Sequence, residues 1–162
     1  MKPKTLTPVQ ALEKLLDTCA LSEICTGEAL ERLARWGVTG KEAVEIVRKL
    51  IAGRYIDDER FARAYVRDRI NHARWGRIKI RQSMRLKRLD SELIDRALAE
   101  EVDEDVYFAN LAAALRQKAA NMPEYLDQDC RAKLLRFAAQ RGYEPGLIME
   151  MLPEEDFWRR TE

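Results

Sequence analysis

The chain has 162 residues, of which 46% are hydrophobic and 35% charged, with 7 glycines and 5 prolines. This composition favours long solvated helices over sheets with many tight turns. The 29 basic and 28 acidic side chains leave a formal net charge of +1, which excludes a general attraction to polyanions. No apolar run approaches the roughly 18 residues of a membrane span, and no signal-peptide core begins the chain, so we expect no membrane contact and a cytoplasmic protein.

Apolar residues recur at helical spacing from the start of the chain, whereas strand-like alternation is not convincing anywhere. After Pro8, one helix face carries Leu12, Leu15 and Leu16. The next two apolar stripes consist of Ala29, Leu30, Leu33 and Ala34, and of Val44, Val47 and Ile51. Each stripe lasts a few turns, so neighbouring helices must cover it. The pattern predicts an array of short helices.

The three cysteines are odd in number and contain no Cys-x-x-Cys pair. They are Cys19, Cys25 and Cys130. This spacing argues against both a disulfide framework and a zinc site. We therefore expect reduced thiols, no metal and no other cofactor.

An internal repeat organises the chain. Three segments share one plan, in which a helix ends in basic or aromatic residues, an apolar anchor follows, and a capped amphipathic helix comes next. The anchors are Val38, Leu89 and Tyr143, about fifty residues apart, which suits a three-helix unit. The sequence predicts an all-α fold of three tandem three-helix repeats, at residues 8–54, 55–102 and 103–153. A longer loop is expected at 122–128 and a polar C-terminal tail at 154–162.

Two acidic clusters are placed where the second and third repeats begin. Asp57 and Asp58 precede one amphipathic run, and 103–105 precede the next. Carboxylates at a helix start accept free backbone N–H groups, so these clusters predict helix caps. A pair of carboxylates is not a catalytic constellation, and the single histidine, His72, lies in a polar stretch where we expect it to be solvated. The sequence therefore predicts that the protein is not an enzyme.

The Gly40-Lys41 pair resembles part of a phosphate-binding loop. Arg35 stands where that loop requires glycine, and Glu42 follows the lysine in place of Ser or Thr. No strand precedes it. The pattern instead indicates a helix break with Thr39 as the cap.

Charge is strongly segregated along the chain. The segment 60–88 has eleven basic residues against one acid, Asp68, whereas 90–129 has eleven acids against three basic residues. Such a local basic field attracts phosphates whatever the total charge of the protein.

The most basic part of that segment predicts a two-sided helix. One stripe has arginines at spacings of four, four and three, namely Arg77, Arg81, Arg85 and Arg88. The adjoining stripe contains Ile80 and Met84, which we expect to be buried. Arginine donates two parallel hydrogen bonds to phosphate or carboxylate, and Trp75 nearby could stack on a base or a side chain. The pattern favours an anion-binding helix.

The same region resembles a known family. The string Tyr55-Ile56-Asp57-Asp58-Glu59-Arg60-Phe61-Ala62, then Val66, Arg69, Gly76, Ile80, Arg81, Gln82 and Lys87, is similar to the central signature of RecX regulatory proteins. Three positions depart from the family pattern, with Arg77 in place of Pro, Ser83 in place of Glu, and Arg88 in place of the Gly that ends the helix.

The resemblance implies an elongated, curved array of three repeats without catalytic residues, acting as a monomer. Such a protein would lie on the RecA filament and inhibit strand exchange, ATP hydrolysis and coprotease activity, and so regulate DNA repair, recombination and the SOS response. Its binding to single- or double-stranded DNA alone would be weak. The expected RecA- and DNA-binding residues are Arg74, Trp75, Arg77, Lys79, Arg81, Arg85, Lys87 and Arg88.

The sequence leaves two other function classes open. Short helices joined at tight breaks also describe helix-turn-helix units, so the alternative is a DNA-binding module such as a transcriptional regulator, with tight, sequence-dependent duplex binding. A helical scaffold that binds only proteins would show no effect of DNA at any salt concentration.

Overall fold

The computed structural model describes residues 5–122 and 128–152, and this part of the chain contains nine α-helices and no β-strand. The helices are α1 (Pro8–Leu21), α2 (Thr26–Arg35), α3 (Gly40–Ala52), α4 (Asp58–Asn71), α5 (Arg77–Leu86), α6 (Ser91–Glu101), α7 (Glu104–Ala119), α8 (Gln128–Gln140) and α9 (Pro145–Met151). The expected all-α fold is confirmed.

The chain folds into two compact units. Among the described residues, the first contains 5–65 together with Met84–Ala97, and the second contains Val66–Ser83 together with 98–122 and 128–152. Helices α4, α5 and α6 therefore each pass from one unit into the other. The repeat boundaries stay a prediction. The expected loop falls mostly on 123–127 and the expected tail on 154–162, outside the described residues.

Helices α1 to α3 form an apolar core in the first unit. Thr7 caps α1, because its Oγ1 accepts the Gln10 N–H at 3.3 Å while Gln10 Oε1 accepts the Thr7 N–H at 3.1 Å. Leu15 and Leu33 are fully buried in this core, and Leu12 and Leu30 pack against it. These two apolar stripes lie where the sequence predicts them, although Ala34 is exposed.

The predicted stripe of α3 is wrong in part. Val47 is buried, but Val44 and Ile51 are 62% and 48% exposed. The buried face consists of Ala43, Ile46, Val47 and Leu50. These four residues follow the spacing i, i+3, i+4 and i+7, which makes a broader apolar surface than the stripe through Val44 and Ile51.

The three predicted anchors end their helices with one geometry. In each turn the residue before the anchor has a positive φ, and the anchor N–H donates to the carbonyl five residues earlier, at 2.9 to 3.3 Å. The pairs are Gly37 and Val38, Arg88 and Leu89, and Gly142 and Tyr143. This is the Schellman motif, and all three anchors are buried. Arg88, with φ 62°, takes the left-handed conformation in the turn where the family pattern has glycine.

The acidic clusters cap helices as expected. Asp57 Oδ1 accepts the Arg60 N–H at 3.0 Å, and Asp103 Oδ1 accepts the Val106 N–H at 3.1 Å. Asp58 acts differently, because its Oδ1 accepts the N–H of Thr26 at 2.7 Å, at the start of α2. Thr39 holds the cap position of α3, but its side chain makes no capping hydrogen bond.

The remaining candidate chemical groups have ordinary surroundings. Cys19, Cys25 and Cys130 are not joined in disulfides, and His72 is exposed. Burial is the largest effect on the Cys25 thiol and raises its pKa, which keeps it protonated and unreactive. Within 5–122 and 128–152, no group of three His, Cys, Asp or Glu side chains is placed to hold a metal ion. No helix in these ranges has the length and apolarity needed to cross a bilayer.

Candidate functional site

The basic segment 74–88 consists of α5 and the turns on either side of it. Ile80 and Met84 are fully buried, which confirms the predicted apolar stripe. The start of α5 belongs to the second unit and its end to the first, so the two ends form two separate sites.

The start of α5 is held against the turn that follows α8. The Gly76 N–H donates to the Arg141 carbonyl at 2.8 Å, and the Ile78 N–H donates to the Gly142 carbonyl at 3.0 Å. A Cβ atom on Gly76 would lie 2.1 Å from the Gly142 carbonyl carbon. Only glycine lets the two backbones approach so closely.

Arg77 is neutralised within the second unit. Its guanidinium pairs with Glu144 at 3.4 Å and with Glu104, and its Cζ lies 4.2 Å from the ring centroid of Tyr107. Its backbone N–H donates to Tyr107 Oη at 2.9 Å. The side chain is 23% exposed. Arg77 therefore joins α5 to α7 and to the start of α9, and its charge is matched by two carboxylates.

Two buried tyrosines pack against each other here, with ring centroids 5.1 Å apart, and one of them, Tyr107, contacts the ion pair. Burial raises the pKa of Tyr107, and its hydroxyl donates to Glu144 Oε2 at 2.6 Å, which raises the pKa further. Burial also raises the pKa of Tyr143 to about 12. The Tyr143 hydroxyl donates to the Arg74 carbonyl at 3.1 Å. Both phenols are neutral hydrogen-bond donors that hold α5 in place.

Trp75 is half-buried and already lies against two cations. Lys79 Nζ is 4.3 Å and Arg69 Cζ 4.8 Å from its ring centroid. These cation–π contacts hold both basic side chains beside the start of α5. The tryptophan thus positions positive charge, in addition to any stacking role.

The end of α5 meets the start of α2 in the first unit. Lys87 Nζ pairs with Glu28 and lies 5.6 Å from the ring centroid of Tyr65. Burial lowers the pKa of Lys87, but the hydrogen bond and charge of Glu28 outweigh it, so the net pKa is raised. Cys25 Sγ lies 3.7 Å from the Lys87 carbonyl, and a Cβ atom on Gly27 would lie 1.9 Å from that oxygen.

The two units thus contain equivalent junctions. In each, a glycine next to the first residue of one helix packs against the turn that follows a later helix. The residue after that glycine makes an ion pair. The glycines are Gly27 and Gly76, and the paired residues are Glu28 and Arg77. These junctions were not predicted from the sequence, although a glycine at the start of both helices was a visible signal.

Three arginines of the segment remain exposed. They are Arg74, before α5, and Arg85 and Arg88, at its end. Arg81 is half-buried. Leu86 is 86% exposed and lies between Arg85 and Arg88 in the chain. Leu86 was not singled out from the sequence, but its position, two residues after the buried Met84, already placed it on the solvated face of the helix.

Two family models match the chain. They describe the second three-helix domain of RecX, matched by residues 57–98, and the third three-helix domain of RecX, matched by residues 105–152. The first of these matches covers the basic segment.

Whole-chain relatives agree with these models. The chain is 31% identical over 129 residues to the regulatory protein RecX of Vibrio campbellii, covering 80% of this chain and 81% of that protein. It is 25% identical over 159 residues to the regulatory protein RecX of Amycolatopsis mediterranei, and this match covers 96% of this chain and 90% of that protein.

Solved structures show the same fold. The crystal structure of RecX from Lactobacillus salivarius superposes with a TM-score of 0.78 and 17% sequence identity. The match covers 90% of this chain and 94% of the Lactobacillus chain. A second crystal structure, of a regulatory protein RecX, superposes with a TM-score of 0.79, and the match covers 91% of this chain and 72% of the chain in that structure. The family models and the sequence identity to the Vibrio protein together show that the chain belongs to the RecX family of regulatory proteins.

Proposed function

We propose that the protein binds the RecA–DNA filament and lowers the recombinase, ATPase and coprotease activities of RecA, and so regulates DNA repair and recombination. Family membership supports RecA as the partner. The observation that carries the proposal is the exposed end of the basic segment, where Arg85, Leu86 and Arg88 are all open to solvent.

This exposed end has the chemistry of a binding surface. Lys87 in the same turn is neutralised by Glu28, whereas Arg85 and Arg88 present guanidinium groups to solvent. Arginine is enriched at protein interfaces, and its planar donors match both carboxylate and phosphate. Leu86 adds an apolar contact beside them. The expected partner surface carries acidic groups around a small apolar depression.

Inhibition follows if the protein binds one filament state better than another. A ligand shifts a conformational equilibrium only by its differential affinity for the two states. A chain that contacts neighbouring RecA protomers in an inactive arrangement, or at a filament end, would reduce both ATP hydrolysis and growth. No catalytic group on the regulator is required.

The first experiment is the DNA-dependent ATPase rate of RecA from the same source, with this protein titrated in. We expect the rate to fall, and a fall at far less than one copy per RecA would indicate end capping. An unchanged rate at equimolar protein would contradict the proposal.

Binding to naked DNA separates the filament regulator from a DNA-binding transcriptional regulator. The filament regulator should bind oligonucleotides weakly and without sequence preference. If about four phosphates of a single strand are contacted, the slope of log affinity against log salt should be near −3. Tight, sequence-dependent duplex binding without any effect on RecA would favour the alternative.

A further inference from the structure

The solvent-facing side of α3 has an apolar stripe that the first unit does not bury. Val44 and Ile51 are both exposed, and they lie two helical turns apart on one face of the helix. Arg48 lies between them, and its side chain is 76% exposed. Tyr55, after the end of the helix, is 51% exposed. Together with Arg54 these residues are called the α3 face, and all of them belong to the first unit.

The turn after α3 has the same backbone geometry as the turns of the three anchors, but its side chains are placed differently. Arg54 has φ 59°, and the Tyr55 N–H donates to the Leu50 carbonyl five residues earlier, at 2.9 Å. The three anchors are buried at the position that Tyr55 holds. Here the next residue, Ile56, is buried instead. The aromatic ring of Tyr55 is therefore left at the surface.

Arg54 occupies a backbone position that favours glycine. Side chains are strained at positive φ, and glycine holds the equivalent position before two of the anchors, at Gly37 and Gly142. Arg54 is exposed, so the packing of the core does not require its side chain. Backbone strain that a glycine would relieve is typical of residues that are kept for function.

The turn is held in place by Arg60 in the first turn of α4. Its guanidinium donates to the Arg54 carbonyl at 3.3 Å and to the Tyr55 carbonyl at 3.4 Å, and it pairs with Glu23 at 2.6 Å. The Tyr55 ring lies against the backbone of Gly53, where a Cβ atom would be 2.7 Å from the ring. The α3 face is therefore ordered before any partner binds, which lowers the entropic cost of binding.

The charges of the α3 face indicate which kind of partner it fits. Arg48 pairs with Glu45 at 3.3 Å, but both side chains are largely exposed, so the pair is weak and leaves the guanidinium open to a further carboxylate. Arginine donates two parallel hydrogen bonds to a carboxylate. Exposed Val44 and Ile51 gain free energy by burial against apolar side chains, which a protein helix provides and a phosphate backbone does not.

We infer that the α3 face binds an acidic amphipathic helix of a partner protein. The apolar ridge of that helix packs on Val44, Ile51 and Tyr55, and carboxylates beside the ridge pair with Arg48 and Arg54. The inference goes beyond the proposed function, which rests on the end of α5, because this contact needs neither RecA nor DNA.

The test titrates the isotope-labelled full chain with a synthetic helix, without RecA or DNA, and follows the backbone amide signals by NMR. The probe has leucine at i, i+4 and i+7, glutamate at the flanking positions, and a side-chain staple that keeps it helical. We expect shifts concentrated on the α3 face. The affinity should be at least about tenfold higher than for the same peptide with lysine in place of glutamate. No binding, or equal affinities for the two peptides, would overturn the inference.

A matched pair of variants locates the apolar contact. Val44→Ser with Ile51→Ser removes two aliphatic side chains from the α3 face, so the affinity for the acidic peptide should fall about tenfold or more. Val9→Ser with Leu21→Ser removes two aliphatic side chains of α1 that are 66% and 89% exposed, and should keep the wild-type affinity. Circular dichroism checks the helix content of both. Equal affinities for the two double variants would place the peptide elsewhere and contradict the inference.

The Arg54→Gly variant separates binding from folding. Glycine relieves the strain at φ 59°, so the melting temperature should stay equal or rise. The affinity for the acidic peptide should nevertheless fall about threefold or more, because one arginine–carboxylate pair is lost. An affinity equal to that of wild type would remove Arg54 from the α3 face.

Sedimentation of the full chain distinguishes a partner protein from a second copy. A monomer at the NMR concentration supports the partner. A dimer that Val44→Ser with Ile51→Ser abolishes would show that a second copy covers the face, and the partner assignment would be wrong. Since the titration contains no RecA, failure of RecA inhibition with normal peptide binding would contradict the proposed function alone. Normal inhibition without peptide binding would contradict the α3 face alone.

Discussion

Arg77 differs from the exposed arginines of the basic segment because its charge is matched inside the protein. Glu104, Glu144 and the ring of Tyr107 surround its guanidinium. An arginine so enclosed contributes mainly to folding, since removing it would leave the Glu144 carboxylate without the positive charge that neutralises it. Arg85 and Arg88, on the same stripe, are exposed instead.

We expect Arg77→Met to lower the free energy of unfolding by about 1 to 3 kcal/mol, because it breaks both ion pairs and leaves a half-buried carboxylate. The measurement is urea denaturation followed by circular dichroism. Arg85→Met is the control, and since Arg85 is exposed its effect should stay within about 0.5 kcal/mol. Equal midpoints for the two variants would show that the Arg77 contacts are unimportant for stability.

The raised pKa of Tyr143 predicts that the folded protein becomes less stable at alkaline pH. Burial raises its pKa to about 12 in the folded protein, whereas an unfolded tyrosine titrates near about 10. Between these values the unfolded chain loses the proton and the folded chain keeps it, so stability is complete below about pH 10 and falls as the pH rises.

The Tyr143→Phe variant should lose this contribution. Its free energy of unfolding should fall with pH less steeply than that of wild type, by about 1 kcal/mol per pH unit in that window. It should also be less stable at neutral pH by about 1 kcal/mol, through loss of the hydrogen bond to the Arg74 carbonyl. Parallel curves for the two proteins above about pH 10 would rule out the Tyr143 contribution.

At the scale of elements, the glycines at the starts of α2 and α5 allow the turns after α5 and α8 to approach these helices closely. The backbone around Gly142 occupies the space that a side chain on Gly76 would need. A larger residue must push the turn away and weaken the two backbone hydrogen bonds to Arg141 and Gly142. Steric overlap with backbone atoms is harder to relieve than overlap with a flexible side chain.

The Gly76→Ala variant should therefore be destabilised by about 1 to 3 kcal/mol. Gly146→Ala, in α9, is the matched control, because nothing lies within 4 Å of the added Cβ atom. That substitution should be neutral or stabilising, by up to about 1 kcal/mol, since alanine favours the helix. Thermal melts compare the two, and similar melting temperatures would refute the close-packing argument.

For the whole molecule, binding depends on where charge is left uncompensated, because the net charge is only +1. The exposed arginines of the basic segment are Arg74, Arg85 and Arg88. Changing all three to Glu should raise the concentration needed to inhibit RecA ATPase at least tenfold, since it reverses the local field. The circular dichroism spectrum, and hence the helix content, should be unchanged because the three side chains are exposed.

The control for this variant reverses the same number of charges at Arg35, Lys41 and Lys49, and should inhibit RecA like wild type. Arg77 is left intact in both variants, because changing it would destabilise the contacts of α5 and so confuse a test of binding. Undiminished inhibition by the first variant would exclude the basic segment as the filament contact.

The sequence by itself determined the local structure and the family. The repeat anchors Val38, Leu89 and Tyr143 were predicted from residues close in the chain, because helix ends and caps depend on hydrogen bonds between near neighbours. The burial of Ile80 and Met84 followed from helical spacing. The signature around Asp57 and Asp58 indicated the family.

Only the tertiary structure decided which charges are neutralised and which remain. Glu28 pairs with Lys87, and Glu144 with Arg77, across separations of more than fifty residues that no local pattern reveals. Electrostatic interaction depends on distance in space, and the fold sets that distance.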